Sequence, residues 1–268
     1  MVLSSEGGDK MKVIAIANQK GGVAKTTTAS AFAAALHRRN YRVLVVDLDP
    51  QGNLSDSVGA DSYNSPTVYE LLRRQAAAKD VIQKMSCYDV IPANIMLAGV
   101  EQELPQLGRE QRLRESLEPL KNCYDFIVID TPPALGILTI NAFAAADEII
   151  MPTTASVFAA KGVRQLHDTI FNVQKYCNPN LVVAGILLVR YDARKNNSRD
   201  IRAVIEQIGN YMQAPVYQTY IRGAVAVEEA QARAIELHDY KSTATAAEDY
   251  EAFTAEYLKG EMNNGKQA

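Results

Sequence analysis

Residues 11–40 read MKVIAIANQKGGVAKTTTASAFAAALHRRN, and the order of three pieces within them decides the fold. Val13-Ile14-Ala15-Ile16-Ala17 is an unbroken apolar run, so a strand built from it needs cover on both faces. Gly21-Gly22 follows as a turn, and Thr26 to Arg39 is alanine-rich with apolar positions at helical spacing. A strand, a glycine-rich turn and a helix opening on Lys25-Thr26 is the arrangement that holds nucleotide phosphates. Glycines let backbone N–H groups approach the oxygens, and a helix N-terminus adds partial positive charge. Lys25 is expected to reach the β- and γ-phosphates, and the Thr26 hydroxyl to ligate Mg2+. The competing reading is a glycine-rich turn with a chance Lys-Thr. It leaves the joint order of strand, glycines, lysine and helix unexplained.

The same alternation extends outward. Arg42–Asp47, Phe126–Asp130, Glu148–Pro152 and Leu181–Val189 are further apolar strand runs. Thr67–Arg74, Glu110–Leu117, Leu138–Ala145, Lys161–Tyr176, Ser198–Ile208 and Ala247–Leu258 have helical spacing. The predicted fold class is α/β, a doubly wound, mostly parallel sheet flanked by helices. Residues 11–259 are expected to form one domain, with 1–10 a disordered leader and 260–268 a frayed tail.

The net charge of -3 over 268 residues leaves any nucleic-acid surface to a local patch. Cys87, Cys123 and Cys177 lack metal-ligand spacing and read as reduced, buried thiols. No apolar run reaches the ~18 residues needed to span a bilayer, and no signal-peptide core is present. The expectation is a soluble, cytoplasmic protein.

Three carboxylates end strands. In Val45-Val46-Asp47-Leu48-Asp49-Pro50, Asp47 closes the strand and Asp49 lies just beyond it; Phe126-Ile127-Val128-Ile129 runs into Asp130. Carboxylates at such ends, beside phosphates, hold Mg2+ through water or position an attacking water. Aspartate in these places also commonly caps a turn, and that alternative stays open for Asp47 and Asp49. His37, His167 and His238 have no matched catalytic partners and read as structural.

The loop departs from G-x-x-x-x-G-K-[ST] in three places. Gln19 replaces the first glycine, Ala24 the last, and Lys20 precedes the paired glycines. Ala24, lacking glycine's freedom, is expected to avoid positive φ. Lys20-Gly21-Gly22-Val23-Ala24-Lys25-Thr26-Thr27 resembles the deviant Walker A motif of the ParA/MinD superfamily of P-loop NTPases, usually KGGVGKTT. The resemblance runs from about Met11 to Leu258 and is closest to ParA/Soj-type partition ATPases. It implies that all eight residues bind ATP and that Lys20 crosses a dimer interface to the partner's nucleotide. It further implies that Asp49 positions the hydrolytic water, with Asp47 supporting the metal shell and Asp130 binding Mg2+ through water as a Walker B carboxylate.

The partners implied are a second copy joined through ATP, nonspecific duplex DNA, and a ParB-type protein that stimulates slow hydrolysis, with the protein nucleoid-associated and off the membrane. Arg190, Arg194, Lys195, Arg199 and Arg202 form the candidate DNA patch, and Arg194 falls in the family's D-A-R stretch. A solvated helix start paired with Asp192, Asp200 and Glu206 is the plainer reading. The family's later IPRNVRLSEA is here IRGAVAVEEA, leaving Ala226 at one arginine position and Arg222 nearby. Ser156-Val157 stands where Glu-Tyr is usual. A MinD-like membrane-cycling ATPase is the principal alternative; it needs a basic amphipathic C-terminal helix, which EYLKGEMNNGKQA does not offer. An iron–sulfur reductase needs suitably placed cysteines, and a small-molecule synthetase leaves Lys20 without a task.

Overall fold

The computed structural model describes residues 11–264. Its first half runs β1 (Lys12–Ile16), α1 (Lys25–His37), β2 (Val43–Asp47), α2 (Asn53–Ser57), α3 (Val68–Leu72), α4 (Ala78–Val81), β3 (Gln83–Lys84), β4 (Asp89–Ile91), α5 (Val100–Glu103) and α6 (Arg112–Leu117). There follow β5 (Phe126–Asp130), α7 (Ile137–Ala145), β6 (Glu148–Thr154), α8 (Val157–Tyr176), β7 (Val182–Val189), α9 (Asn196–Tyr211), α10 (Val225–Gln231), α11 (Leu237–Lys241) and α12 (Thr245–Asn264).

One seven-stranded sheet results, in the order β3-β4-β2-β5-β1-β6-β7. Every pairing is parallel except that of β3 with β4 at the edge. Because side chains alternate along a strand, β1 feeds two cores. Val13 and Ala15 join the face covered by α6, α7, α8 and α9, whereas Ile14 and Ile16 join the face covered by α1 and α12. Phe32 of α1 meets Phe253 and Tyr257 of α12 at ring-centroid distances of 5.5 and 5.2 Å. These are ordinary spacings for packed aromatic rings.

The doubly wound class is therefore observed. β1 and β5 align Ile16 with Asp130, and β2 and β5 align Asp47 with Asp130. The phosphate loop and two of the three carboxylates thus emerge side by side at the carboxyl ends of the strands, where open α/β sheets bind ligands.

Two expectations are corrected. The last helix does not fray at residue 260 but continues through Gly260 to Asn264. Burial of Tyr250, Phe253 and Tyr257 anchors it, and Glu261 reaches Lys12 at 2.7 Å, beyond the boundary read from the sequence. The cysteines are not buried: Cys123 is exposed and Cys87 and Cys177 are half-buried. Residues 1–10 and 265–268 of the expected leader and tail lie outside the described residues. Among the described residues, no helix is long and apolar enough to cross a membrane.

Candidate nucleotide site

The loop between β1 and α1 is braced by a residue the sequence reading missed. Asn18 is buried; its Oδ1 accepts from the Lys20 N–H at 3.0 Å and its Nδ2 donates to the Pro152 carbonyl at 2.8 Å. The side chain ties the loop to the end of β6. An asparagine just after a strand and before glycines was the available signal.

Gly22 takes φ +74°, as glycine readily does. Ala24 takes φ +56° and ψ +34°, against the expectation that it avoids this region. It occupies the N-cap position of α1, and its carbonyl accepts the Thr28 N–H at 2.8 Å. The helix start and the glycine turn dictate the path of the chain here, and the alanine bears the strain, about 1–2 kcal/mol for an L-residue.

Lys25, only 7% exposed, lines a cavity of about 900 Å³ together with Gly21, Gly22, Thr26, Thr27 and Asp49. Burial pushes its ammonium pKa down, while Asp130 and Asp49 act in the opposite sense. The far wall carries Leu97, Val100, Glu101, Pro132 and Pro133. A second cavity of about 370 Å³ shares Ala24, Thr27 and Arg190 with the first.

Asp130 is fully buried. Its Oδ2 accepts from the Thr26 hydroxyl at 2.7 Å, while Oδ1 is buried without a hydrogen-bond partner. Burial, then the neighbouring Asp47, pushes its pKa well above the ordinary 3.8. An orphaned buried carboxylate oxygen is costly unless a ligand completes it. Oxygen donors from Thr26 and Asp130, one with an unused lone pair, fit hard, oxygen-seeking Mg2+. Asp47 is raised to about 6, chiefly by burial, although it accepts from Ser55 N at 3.0 Å, Ser55 Oγ at 2.7 Å and Asp49 N at 3.1 Å. Its oxygens are engaged with protein, and it anchors the turn after β2. Asp49 is half-buried; its Oδ1 accepts from Gln51 N at 3.0 Å, so it caps that turn while lining the cavity.

Lys20 differs from Lys25. It is exposed, is not part of the cavity wall, and its Nζ donates to Ser156 Oγ at 3.2 Å.

The basic residues that the sequence grouped together separate. Arg194, Lys195 and Arg199 gather where the β7–α9 turn enters α9, and the Arg194 side chain is 91% exposed. Arg194 Nε donates to Asp192 Oδ1 at 2.9 Å, and this contact holds Asp192 down at about 2. Arg199 donates to Asn196 at 2.6 Å, and Arg202 to Glu206 at 2.8 Å. Arg190 and Arg222 instead line the smaller cavity. Arg222 is clamped there by Asp249 at 2.7 Å and Glu248 at 3.6 Å. Adjacency in the chain grouped Arg190 with the patch, but Arg190 is the first residue beyond β7, takes φ +52° and lines the cavities, while Arg194 lies further along the turn into α9.

A family model described as AAA domain matches residues 11–183. The chain is similar to sporulation initiation inhibitor protein Soj of Bacillus subtilis, with 42% identity over 89% of this chain and 95% of Soj. It is 39% identical to chromosome partitioning protein ParA of Myxococcus xanthus, over 92% of this chain and 88% of that protein. Among solved structures it resembles cobyrinic acid a,c-diamide synthase from Mycobacterium smegmatis with bound ADP and magnesium. That match has a TM-score of 0.79 and 36% identity, covering 91% of this chain and 93% of the other. The seven-stranded sheet, the lysine-bearing loop at its carboxyl edge and this extended likeness agree, and the chain belongs to the ParA/Soj-type P-loop ATPases of the ParA/MinD superfamily.

Proposed function

We propose that this ATPase is a nucleotide switch: ATP joins two copies, the dimer holds duplex DNA without sequence preference, and a ParB-type activator resets it by stimulating hydrolysis. The observation that carries the reading is the unlike disposition of the two loop lysines. Lys25 is buried in its own cavity, while Lys20 stands exposed on the rim. A rim cation that does not serve its own cavity suits a nucleotide presented by a facing copy.

Within one subunit, the Lys25 ammonium neutralises the β- and γ-phosphate oxygens, and loop N–H groups from Gly21 to Thr27 complete the cradle. Thr26 and Asp130, with Asp47 fixing the turn beside them, would hold Mg2+. When bound, Mg2+ offsets charge on the bridging and terminal phosphate oxygens. Asp49 accepts a hydrogen bond from the attacking water and directs its oxygen to the γ-phosphorus. The bond to the β,γ-bridging oxygen breaks, leaving ADP and phosphate, and Lys25 together with the partner's Lys20 stabilises the departing diphosphate. One Asp49 oxygen is already engaged by Gln51, consistent with slow turnover until a partner intervenes.

The DNA surface is Arg194, Lys195 and Arg199, flanked by Arg202 already paired with Glu206. A single small patch on a chain of net charge -3 binds phosphate weakly. Two such patches in one dimer raise retention by avidity, coupling DNA binding to ATP. On this reading the protein works on the nucleoid in the cytoplasm. The membrane-cycling reading fares worse: α12 carries Glu248, Asp249, Glu251, Glu256 and Glu261 against Lys259, a balance unsuited to anionic lipid.

Size-exclusion with light scattering under ATP, ADP and no nucleotide, repeated with nonspecific duplex, tests the proposal. An ATP-specific dimer that retains DNA is expected. A monomer indifferent to nucleotide and duplex would overturn it. Amide synthesis, the activity in the name of the solved relative, is the second reading, favoured by the room along the Pro132–Pro133 wall; it requires turnover that depends on an added carboxylic acid and nitrogen donor.

A further inference from the structure

Arg190 has no task in the scheme above. It is the first residue beyond β7 and takes φ +52°, in the left-handed region that costs a bulky L-residue about 1–2 kcal/mol. Its neighbours pin that conformation. Val189 bridges to Ile221, and the Tyr191 N–H donates to the Ile221 carbonyl at 3.0 Å. The backbone on both sides is thus held to one strand-like partner while Arg190 bulges between.

The residue lines both cavities. The larger carries the phosphate-binding Lys25 and Thr26, whereas the smaller is walled by Val189, Ile221, Val227 and Tyr250. The larger offers the Lys25 ammonium and the loop N–H groups to phosphate, the smaller adds apolar and aromatic wall beside Arg222 and Glu228, and Ala24, Thr27 and Arg190 line both and form the neck between them. A nucleoside triphosphate has the same polarity: an anionic tail, a flat heteroaromatic base, and the α-phosphate and ribose between. Among the described residues no carboxylate lies within salt-bridge distance of Arg190, whereas Arg222 on the same cavity is engaged by Asp249 and Glu248. Arg190 is exposed, so its unpaired guanidinium is solvated and remains available to an anion entering either cavity.

We infer that Arg190 is a nucleotide-binding residue, its guanidinium gripping the α-phosphate at the neck between the two cavities. This rests on the nucleotide reading of the larger cavity, and it removes Arg190 from the DNA surface. A residue facing the α-phosphate meets a part that ATP and ADP share, so it sets retention of both nucleotides equally.

The test is calorimetric titration of the full chain with Mg-ADP and with a nonhydrolysable Mg-ATP analogue, for wild type, Arg190→Met, Arg190→Lys and Lys25→Ala. Arg190→Met keeps length and apolar stem but removes the charge. Loss of one charge-assisted hydrogen bond corresponds to a roughly 10- to 100-fold weaker Kd. That loss is expected for both nucleotides, with partial recovery in Arg190→Lys. Wild-type affinity in Arg190→Met would overturn the inference. So would a loss confined to the ATP analogue, because ADP lacks only the γ-phosphate. DNA retention that drops at saturating nucleotide with unchanged nucleotide affinity would return Arg190 to the DNA patch. Wild-type ADP affinity in Lys25→Ala would instead sink the nucleotide assignment of the cavity itself, separating the two failures.

Discussion

Replacing Asp130 with asparagine is expected to stabilise the nucleotide-free protein at neutral pH while destroying its ATPase activity. The buried Asp130 carboxyl is pushed well above 3.8, first by burial and then by Asp47, and one of its oxygens has no partner. The folded state therefore binds a proton more tightly than the unfolded chain. Its contribution to stability is greatest at acid pH and declines as pH rises above about 3.8, the opposite of an ion-paired carboxylate. At about 1.36 kcal/mol per pH unit, the span from 3.8 to pH 7 sets a ceiling of about 4 kcal/mol on that cost. Asparagine removes the charge and still accepts from the Thr26 hydroxyl. Its amide N–H2 in place of the orphaned oxygen gives back about 1–2 kcal/mol. The net gain at pH 7 is therefore at most about 2–3 kcal/mol, shrinking toward zero or reversing near pH 4. Urea unfolding with chelator present, followed at pH 7 and near pH 4.5, reads the difference directly. A variant no more stable than wild type at pH 7, or a gain that does not shrink with acid, would refute the assignment of Asp130 as an electrostatically frustrated carboxylate awaiting a cation.

Asp49→Ala is expected to keep ATP affinity but lose at least about 100-fold in hydrolysis, trapping an ATP-bound dimer visible by light scattering. Normal turnover would show that Asp49 only caps its turn. Arg194→Ala should weaken ATP-dependent DNA retention and flatten its salt dependence by about one counterion per subunit, leaving nucleotide affinity unchanged; unaltered retention would move the DNA surface elsewhere. Gly209→Ala is expected to cost about 1–3 kcal/mol in urea unfolding, because the added Cβ would lie 2.5 Å from the Ala214 carbonyl oxygen, which is backbone and cannot rotate away.

The five longest strands were legible because parallel strands covered on both faces must be apolar throughout, so β1, β2, β5, β6 and β7 stand out as runs. The short strands β3 and β4 were not, since two or three residues leave no period; β4 owes its conformation to pairing with β2, and the edge strand β3 to pairing with β4. Helices α10 and α11 were missed likewise. Each is too short to persist alone and is held by burial of Ala226, Ala230 and Leu237. The phosphate loop, Thr26, Asp49 and Asp130 were visible as residue types at fixed positions beside a strand. Asn18 was passed over because its value lies in a bond to Pro152, far away in the chain.

The chain by itself determined its class of chemistry: a lysine-bearing glycine turn between a buried strand and a helix is local, and local order is written in neighbouring residues. Tertiary structure alone decided the rest. Strand register set Asp47 and Asp130 side by side, and the helix start forced Ala24 into positive φ against its own preference. The end of β7 set Arg190 on the wall shared by the two cavities and left Arg194 in solvent. Such outcomes depend on where parallel strands align and where crossovers return, and those are set by how separate elements share one core.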